Sequence, residues 1–202
     1  MEGFCLIALS LPILFHQATL ARFERLIEEV LKVKVLPQLH HFVERKIKKE
    51  KMLKFEKAKK ENLLDIVNLL IEDDLGSTRE SLSAASLQKY KDAFARIDED
   101  KNQFLFLVKK ENDIVGTYHL TLMPSMTFEG SSRLNIEAVR VNKDCRGQQI
   151  GEQMMEFAIN FAKESGCGLV QLASNKLRTD AIRFYEKCGF ESSHVGMKVN
   201  IK

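Results

Sequence analysis

One stretch limits what this chain can fold into more than any other. It is residues 136–151, IEAVRVNKDCRGQQIG, together with the run that follows. IEAVRV is rich in β-branched residues and suits a buried strand. NKDC is polar and turn-like. From Ile150, apolar residues recur at Met154, Met155, Phe157, Ala158, Phe161 and Ala162, the spacing of a helix with one buried face. A helix start presents unpaired N–H groups and the positive end of the helix dipole. If Gly147 and Gly151 let the turn close tightly, several N–H groups point at one anion, and Arg146 adds a fixed positive charge. That reads as a cradle for phosphate or pyrophosphate. An ordinary strand-to-helix turn, needing glycine only for geometry, fits the segment alone equally well. Two better-known cradles are excluded. A nucleotide P-loop needs Gly-Lys-Ser/Thr, but Gly151 is followed by Glu152. The dinucleotide fingerprint G-x-G-x-x-G is absent because the two glycines are four apart.

The 202 residues suffice for one domain plus an extension. Cys5, Cys145, Cys167 and Cys188 show no CxxC pairing and read as reduced thiols of a cytoplasmic protein. His16, His40, His41, His119 and His194 have no metal-ligand spacing, so no metal is expected. The net charge of +3 is unevenly placed. Residues 1–51 hold nine Lys/Arg against six Asp/Glu, whereas residues 52–202 hold 22 of each. A neutral domain lacks the basic excess usual in nucleic-acid binders, so no nucleic-acid partner is expected.

The extension 1–51 contains Phe4–Phe15, an apolar run too short to span a bilayer as a helix. An amphipathic helix is expected over Thr19–Val35, then a strongly basic stretch after Pro37. Three readings stay open: a helical appendage on the domain or another subunit, a membrane-surface element, or a segment outside the working protein, with Met52 as the start. No transmembrane segment is expected, and a homodimer is allowed for.

From Met52 the pattern predicts a short strand in MLKFEKA and a helix over Glu61–Asp73. A second helix follows over Ser83–Ile97, then a hairpin of Phe104–Val108 with Ile114–Met123 joined by the polar turn KKEND. After the loop Pro124–Ser132 comes the central strand and helix. A strand over Leu169–Ala173, a helix over Thr179–Lys187, and one or two closing strands within Phe190–Ile201 complete the order. This is a mixed α+β domain whose central sheet is partly antiparallel and partly parallel, flanked by helices. Within the central strand, strict alternation would set Arg140 beside Ala138 on one face. An extra residue near Ala138–Val139, a β-bulge, would switch the phase. A strand buried on both faces with Arg140 at its end is the other reading.

RGQQIG, followed downstream by DAIRFYEKCGF, resembles the GNAT family of N-acetyltransferases. The family signature is Arg/Gln-x-x-Gly-x-Gly/Ala at the pyrophosphate turn, with a Tyr-Glu-x-x-Gly-Phe segment on the next helix. Arg146 and Gly151 match the first and last positions; Gln149 replaces the middle glycine. The resemblance spans about Leu53 to Ile201 and is strong over 134–190. It implies the acyl-CoA N-acyltransferase fold and acetyl-CoA as cosubstrate. It also implies that a bulge splays the central strand from the next, so that the pantetheine arm pairs with backbone at Val139 and Val141. The pyrophosphate would sit on Arg146, Gly147, Gln148, Gln149, Ile150 and Gly151. The family asparagine that contacts the cofactor arm would fall at Arg178; either Asn175, three residues earlier, substitutes for it or Arg178 reaches a phosphate.

Acetyl transfer needs a neutral amine, a donor for the carbonyl oxygen and a proton for the leaving thiolate. Glu137, a carboxylate inside an apolar strand where desolvation would raise its pKa, is the candidate base, direct or through water; a strand-edge or surface carboxylate is the other reading. Tyr185 matches the family tyrosine and is the candidate acid toward sulfur. The Val139 N–H is the candidate donor to the acetyl oxygen. The acceptor, a small-molecule or protein amine, would meet Leu75–Ser86 and Pro124–Ser132, which offer Asp73 and Asp74 nearby, Arg79, Glu80 and Glu129. His119 could face the same cavity. The ending SSHVGMKVNI is similar to small-molecule acetyltransferases of the aminoalkylphosphonate type. A module that binds acyl-CoA without turnover is the alternative function, and Gln149 and Arg178 are the departures that leave room for it.

Overall fold

In the computed structural model, which describes residues 52–72 and 76–201, the domain is built on one five-stranded sheet in the order β1-β2-β3-β4-β5. The strands are β1 (Leu53–Lys57), β2 (Gln103–Lys110), β3 (Asp113–Met123), β4 (Ser132–Val141) and β5 (Cys167–Leu172). β1 to β4 are antiparallel neighbours, and β5 runs parallel to β4. A parallel pair needs a crossover, and α3 (Ile150–Glu164) supplies it between β4 and β5. A 3-10 turn at Lys60–Asn62 leads into α1 (Leu63–Ile71); α2 (Ala84–Glu99) follows, and α4 (Thr179–Lys187) comes after β5.

The sheet is covered on both faces, which is why β2 reads as a continuous apolar run. Phe106 and Val108 join Tyr118, Leu120, Leu134 and Ile136 in one core layer, against Met154, Met155 and Ala158 of α3. Phe55 stacks on Phe157 there with ring centroids 4.3 Å apart, and Phe106 meets Phe157 edge-on at 5.3 Å. Leu105 and Leu107 point the other way and pack with Leu63, Ile66 and Phe94 of the first two helices. The helix periodicity in the sequence therefore located the buried faces correctly at Leu63, Ile66, Val67 and Phe94. Ser83 caps α2, its hydroxyl accepting from the Ser86 amide at 3.2 Å.

Two expectations are corrected. The β2–β3 connection is a tighter turn at Glu111–Asn112, with Glu111 at φ 57°. The closing strands expected within Phe190–Ile201 do not form; those residues have no regular structure. Val195, Met197, Val199 and Ile201 alternate as a half-buried strand would, yet they are 83–92% exposed. Alternation supplies a strand's side-chain pattern, but only a ladder partner fixes its backbone, and nothing among the described residues pairs with this segment or with the outer edge of β5. The expectations for residues 1–51 and for Asp73, Asp74 and Leu75 lie outside the described residues. Among the described residues, no helix is long and apolar enough to cross a membrane.

Candidate active site

The site forms where β4 changes phase. His119 of β3 pairs with Glu137, but Thr117 pairs with Arg140. Tyr118 therefore spans two residues of β4, Ala138 and Val139, and Ala138 takes a left-handed φ of 51°. This is the bulge that the phase of the sequence called for. Pairing of β4 with β5 runs from Ser132↔Cys167 to Ile136↔Leu172 and stops, while β4 continues to Val141. From Glu137 onward, no strand among the described residues pairs with the β5 side of β4. A V-shaped opening results, flanked by the half-buried Val139 and Val141. The Val139 carbonyl accepts from Arg140 Nη1 at 2.8 Å.

The turn after β4 lies at the end of this opening. Asn142 accepts from the Asp144 amide through its side chain at 2.9 Å and starts a 3-10 turn, Lys143–Cys145. Gly147 follows at φ 75°, and Gln149 takes φ 61° as the residue preceding α3. The Gln153 N–H donates to the Gln149 carbonyl at 3.2 Å, opening the helical ladder. The amides just before it have no helical acceptor and stand at the positive end of the dipole. No side chain caps this helix. The two glycines serve different ends. A Cβ on Gly147 would meet nothing within 4 Å, so that glycine is there for its φ and leaves the turn open. A Cβ on Gly151 would lie 2.9 Å from Phe184 Cζ, so that glycine admits α4 to close packing. Ile150 is buried in the core and anchors the helix start. Gln148 accepts from Lys110 Nζ at 3.1 Å, and Arg146 is exposed, its Nε reaching the Val141 carbonyl at 3.4 Å. An open turn of converging amides with an exposed guanidinium beside it suits a pyrophosphate.

Tyr185 sits on α4, half-buried between Phe184 and Phe190, with centroid distances of 5.1 and 6.0 Å. Burial pushes its hydroxyl pKa up. Arg178 and Arg140 pull it the other way, and the Cys188 thiol adds to the rise. The net direction keeps the phenol protonated. Its proximity to Arg140 sets α4 beside the distal half of β4. Glu137 departs from expectation: it is exposed and not enclosed by the strand's apolar neighbours. The reason is that β5 stops pairing one residue earlier, so the strand is no longer flanked on that side. Asn175 is exposed; its Oδ1 accepts the Leu177 amide at 2.9 Å and its carbonyl the Arg178 amide at 2.8 Å, shaping the loop before α4.

On the helix face of the bulge lies a cavity of about 150 Å³, lined by Leu63, Leu70, Tyr90, Phe94, His119 and Ala138 among others. His119 Nε2 is buried there without a hydrogen-bond partner. Burial lowers the His119 pKa, and Glu137 across the ladder pulls it up. The signal for this group in the sequence was a polar ring inside the strand DIVGTYHLTLM. Tyr90, whose helical spacing marked it only as packing, lines the cavity too, and its hydroxyl donates to Glu80 at 2.7 Å. Glu80 also pairs with Arg79 at 3.4 Å, so both serve local structure. Glu129 lies in a left-handed turn with Phe128, at φ 58° and 52°.

Residues 65–190 match the model of the acetyltransferase (GNAT) family. Aminoalkylphosphonate N-acetyltransferase of Salmonella typhimurium is 31% identical over 107 residues, 53% of this chain and 69% of that one. Two further curated relatives are matched over only 32% and 49% of their own lengths. A crystal structure described as a transcriptional regulator from Bacillus halodurans C-125 superposes with a TM-score of 0.71 at 40% identity, over 74% of this chain and 100% of the other. A predicted acetyltransferase from Clostridium acetobutylicum with acetyl-CoA gives a TM-score of 0.58 at 18% identity, over 74% and 96%, a likeness of fold. With the bulged strand, the open turn and a family match covering most of the domain, the chain belongs to the GNAT acetyltransferase family.

Proposed function

We propose that the chain is an N-acetyltransferase that moves the acetyl group of acetyl-CoA to a primary amine by direct attack in a ternary complex. The observation that carries this reading is the opening between β4 and β5, where pairing ends at Ile136↔Leu172 while β4 runs on to Val141. The opening offers backbone groups at Val139 and Val141 to the amides of a pantetheine arm. At its end stand the amides of Gly147, Gln148, Gln149, Ile150 and Gly151, with the Arg146 charge, for a pyrophosphate. Asn175, exposed in the loop before α4, would contact the cofactor arm. Acetyl-CoA supplies a thioester already reactive toward amines, so positioning is the larger part of the chain's task. The Val139 N–H would hold the acetyl oxygen as charge develops on it. Tyr185, held protonated by burial, would deliver a proton to the departing sulfur. Glu137, exposed at the edge of the opening, would take part through water. The acetyl-CoA held by a protein of the same fold supports acetyl-CoA as donor, and a relative named aminoalkylphosphonate N-acetyltransferase supports a small-molecule amine as acceptor.

The exposure of Glu137 leaves a second reading, a GNAT-like module that binds acyl-CoA without turnover. Calorimetric titration with acetyl-CoA, using desulfo-CoA as control, followed by thiol release with a panel of amines, separates the two. Micromolar binding with thiol release supports the enzyme. Binding with no release from any amine supports the module, and no binding by the folded chain at millimolar ligand removes both.

A further inference from the structure

The cavity at the bulge has a chemistry of its own. Its lining from α1 is apolar throughout, Leu63, Ile66, Val67 and Leu70. α2 adds Ala93, Phe94 and Ile97, and Tyr90 spends its hydroxyl on Glu80. Among the described residues, no Lys or Arg lines it. The sheet contributes Leu105, Thr117, His119 and the bulge residue Ala138, and the Thr117 hydroxyl donates to the Phe106 carbonyl at 2.8 Å. The His119 Nε2 is thus the polar side-chain atom of this lining that is buried with no partner. A buried donor or acceptor left unpaired is costly, so Nε2 is suited to a ligand or a reacting group. Ala138 precedes Val139, so the cavity ends one residue from the opening that would hold the thioester.

On the reading of the chain as an acetyltransferase, we propose that this cavity is the acceptor site, that it takes a primary amine on a small uncharged apolar body, and that His119 Nε2 receives the proton the ammonium must lose. An apolar cavity of this size holds a group of about the bulk of a benzene ring. A phosphonate or sugar phosphate would meet no cation among the described lining residues and would bring an anion into an apolar lining, which is costly. The ammonium is affected by the same lining. Desolvation lowers its pKa toward that of the imidazole, while Glu137, directly across the ladder, stabilises the imidazolium that forms. The protons and electrons balance as follows. One ammonium proton passes to Nε2 and on to solvent. The nitrogen lone pair forms the C–N bond as the C–S pair leaves with sulfur. Sulfur takes a proton from Tyr185, which regains one from the nitrogen, so the products are amide, thiol and one released proton.

The test uses the full chain, with benzylamine and isopentylamine against 2-aminoethylphosphonate. Calorimetry without acetyl-CoA should show the two apolar amines binding more tightly than the phosphonate. Filling the cavity by Ala93→Leu, or by Leu70→Phe if the first variant fails to bind acetyl-CoA, should weaken the apolar amines about tenfold or more, the scale of one or two misplaced methylenes. Benzylamine should shift the His119 ring signals in NMR, and His119→Gln should lower kcat/KM about 100-fold. That variant should also lose the acid limb that lies below the ordinary histidine pKa of about 6.5. Tighter binding of the phosphonate, amine affinity unmoved by the cavity-filling variants, or unmoved His119 signals overturns the proposal. Failure of the wild type to bind acetyl-CoA would instead sink the acetyltransferase reading, and the amine titrations would still decide the cavity.

Discussion

Gln149 stands at φ 61°, where an L residue bears a steric cost of about 1–2 kcal/mol that glycine escapes. Glycine in turn loses more chain entropy on folding, about 0.5–1 kcal/mol. Gln149→Gly is therefore expected to raise stability by about 0.5–1 kcal/mol in urea denaturation, without weakening acetyl-CoA, because the amide of the turn is kept. The middle-glycine departure was visible in the sequence; that the backbone keeps the glycine-like conformation regardless was not. Tyr185 behaves differently. Its folded pKa lies above the unfolded value of about 10, chiefly through burial. The protonated form is thus favoured by folding, and the stability it lends is complete below about pH 10 and lost as pH rises through the folded value. Tyr185→Phe should lower kcat about 100-fold, with little change in the KM for acetyl-CoA. Any basic limb due to this group should appear only above about pH 10 and vanish in the variant. A kcat unchanged by the substitution would make Tyr185 a packing residue.

Among the elements, the contact of α3 with α4 rests on Gly151. A methyl there would lie 2.9 Å from the Phe184 ring, and inserting bulk into a packed contact costs about 1–3 kcal/mol. Gly151→Ala should therefore destabilise the chain by about 1–2 kcal/mol and, by displacing α4, reduce kcat through Tyr185. Phe184→Leu should recover part of both losses, and a double-mutant cycle by denaturation would show the coupling. The motif identified this glycine as part of an anion turn; the structure gives it a packing duty that no spacing reveals, because Phe184 lies 33 residues away in the chain. Helix α3 itself was readable to within a residue, since its apolar stripe meets a single flat layer of sheet. The tail 190–201 was misread because alternation describes side chains and says nothing of whether a ladder partner is present.

For the whole molecule, β1 opens at Leu53 and the family match falls entirely within 52–202. A fragment of residues 52–202 is expected to fold alone, with one cooperative urea transition and undiminished acetyl-CoA affinity. Multiple transitions or lost binding would show that residues 1–51 belong to the working unit. Sequence alone determined the helices and the order of elements along the chain as far as α4, because each depends on local periodicity, and it offered residues 146–151 as a turn able to hold an anion. It also placed the bulge, since the phase of Ile136, Ala138 and Arg140 conflicts with an unbroken strand. The tertiary structure decided the rest. Where β5 stops pairing determines that Glu137 meets water, and the packing of α1 and α2 over the bulge determines that, among the described residues, the Nε2 atom of the half-buried His119 has no partner. Both outcomes depend on residues distant in the chain, and exposure, unlike periodicity, is a property of neighbours.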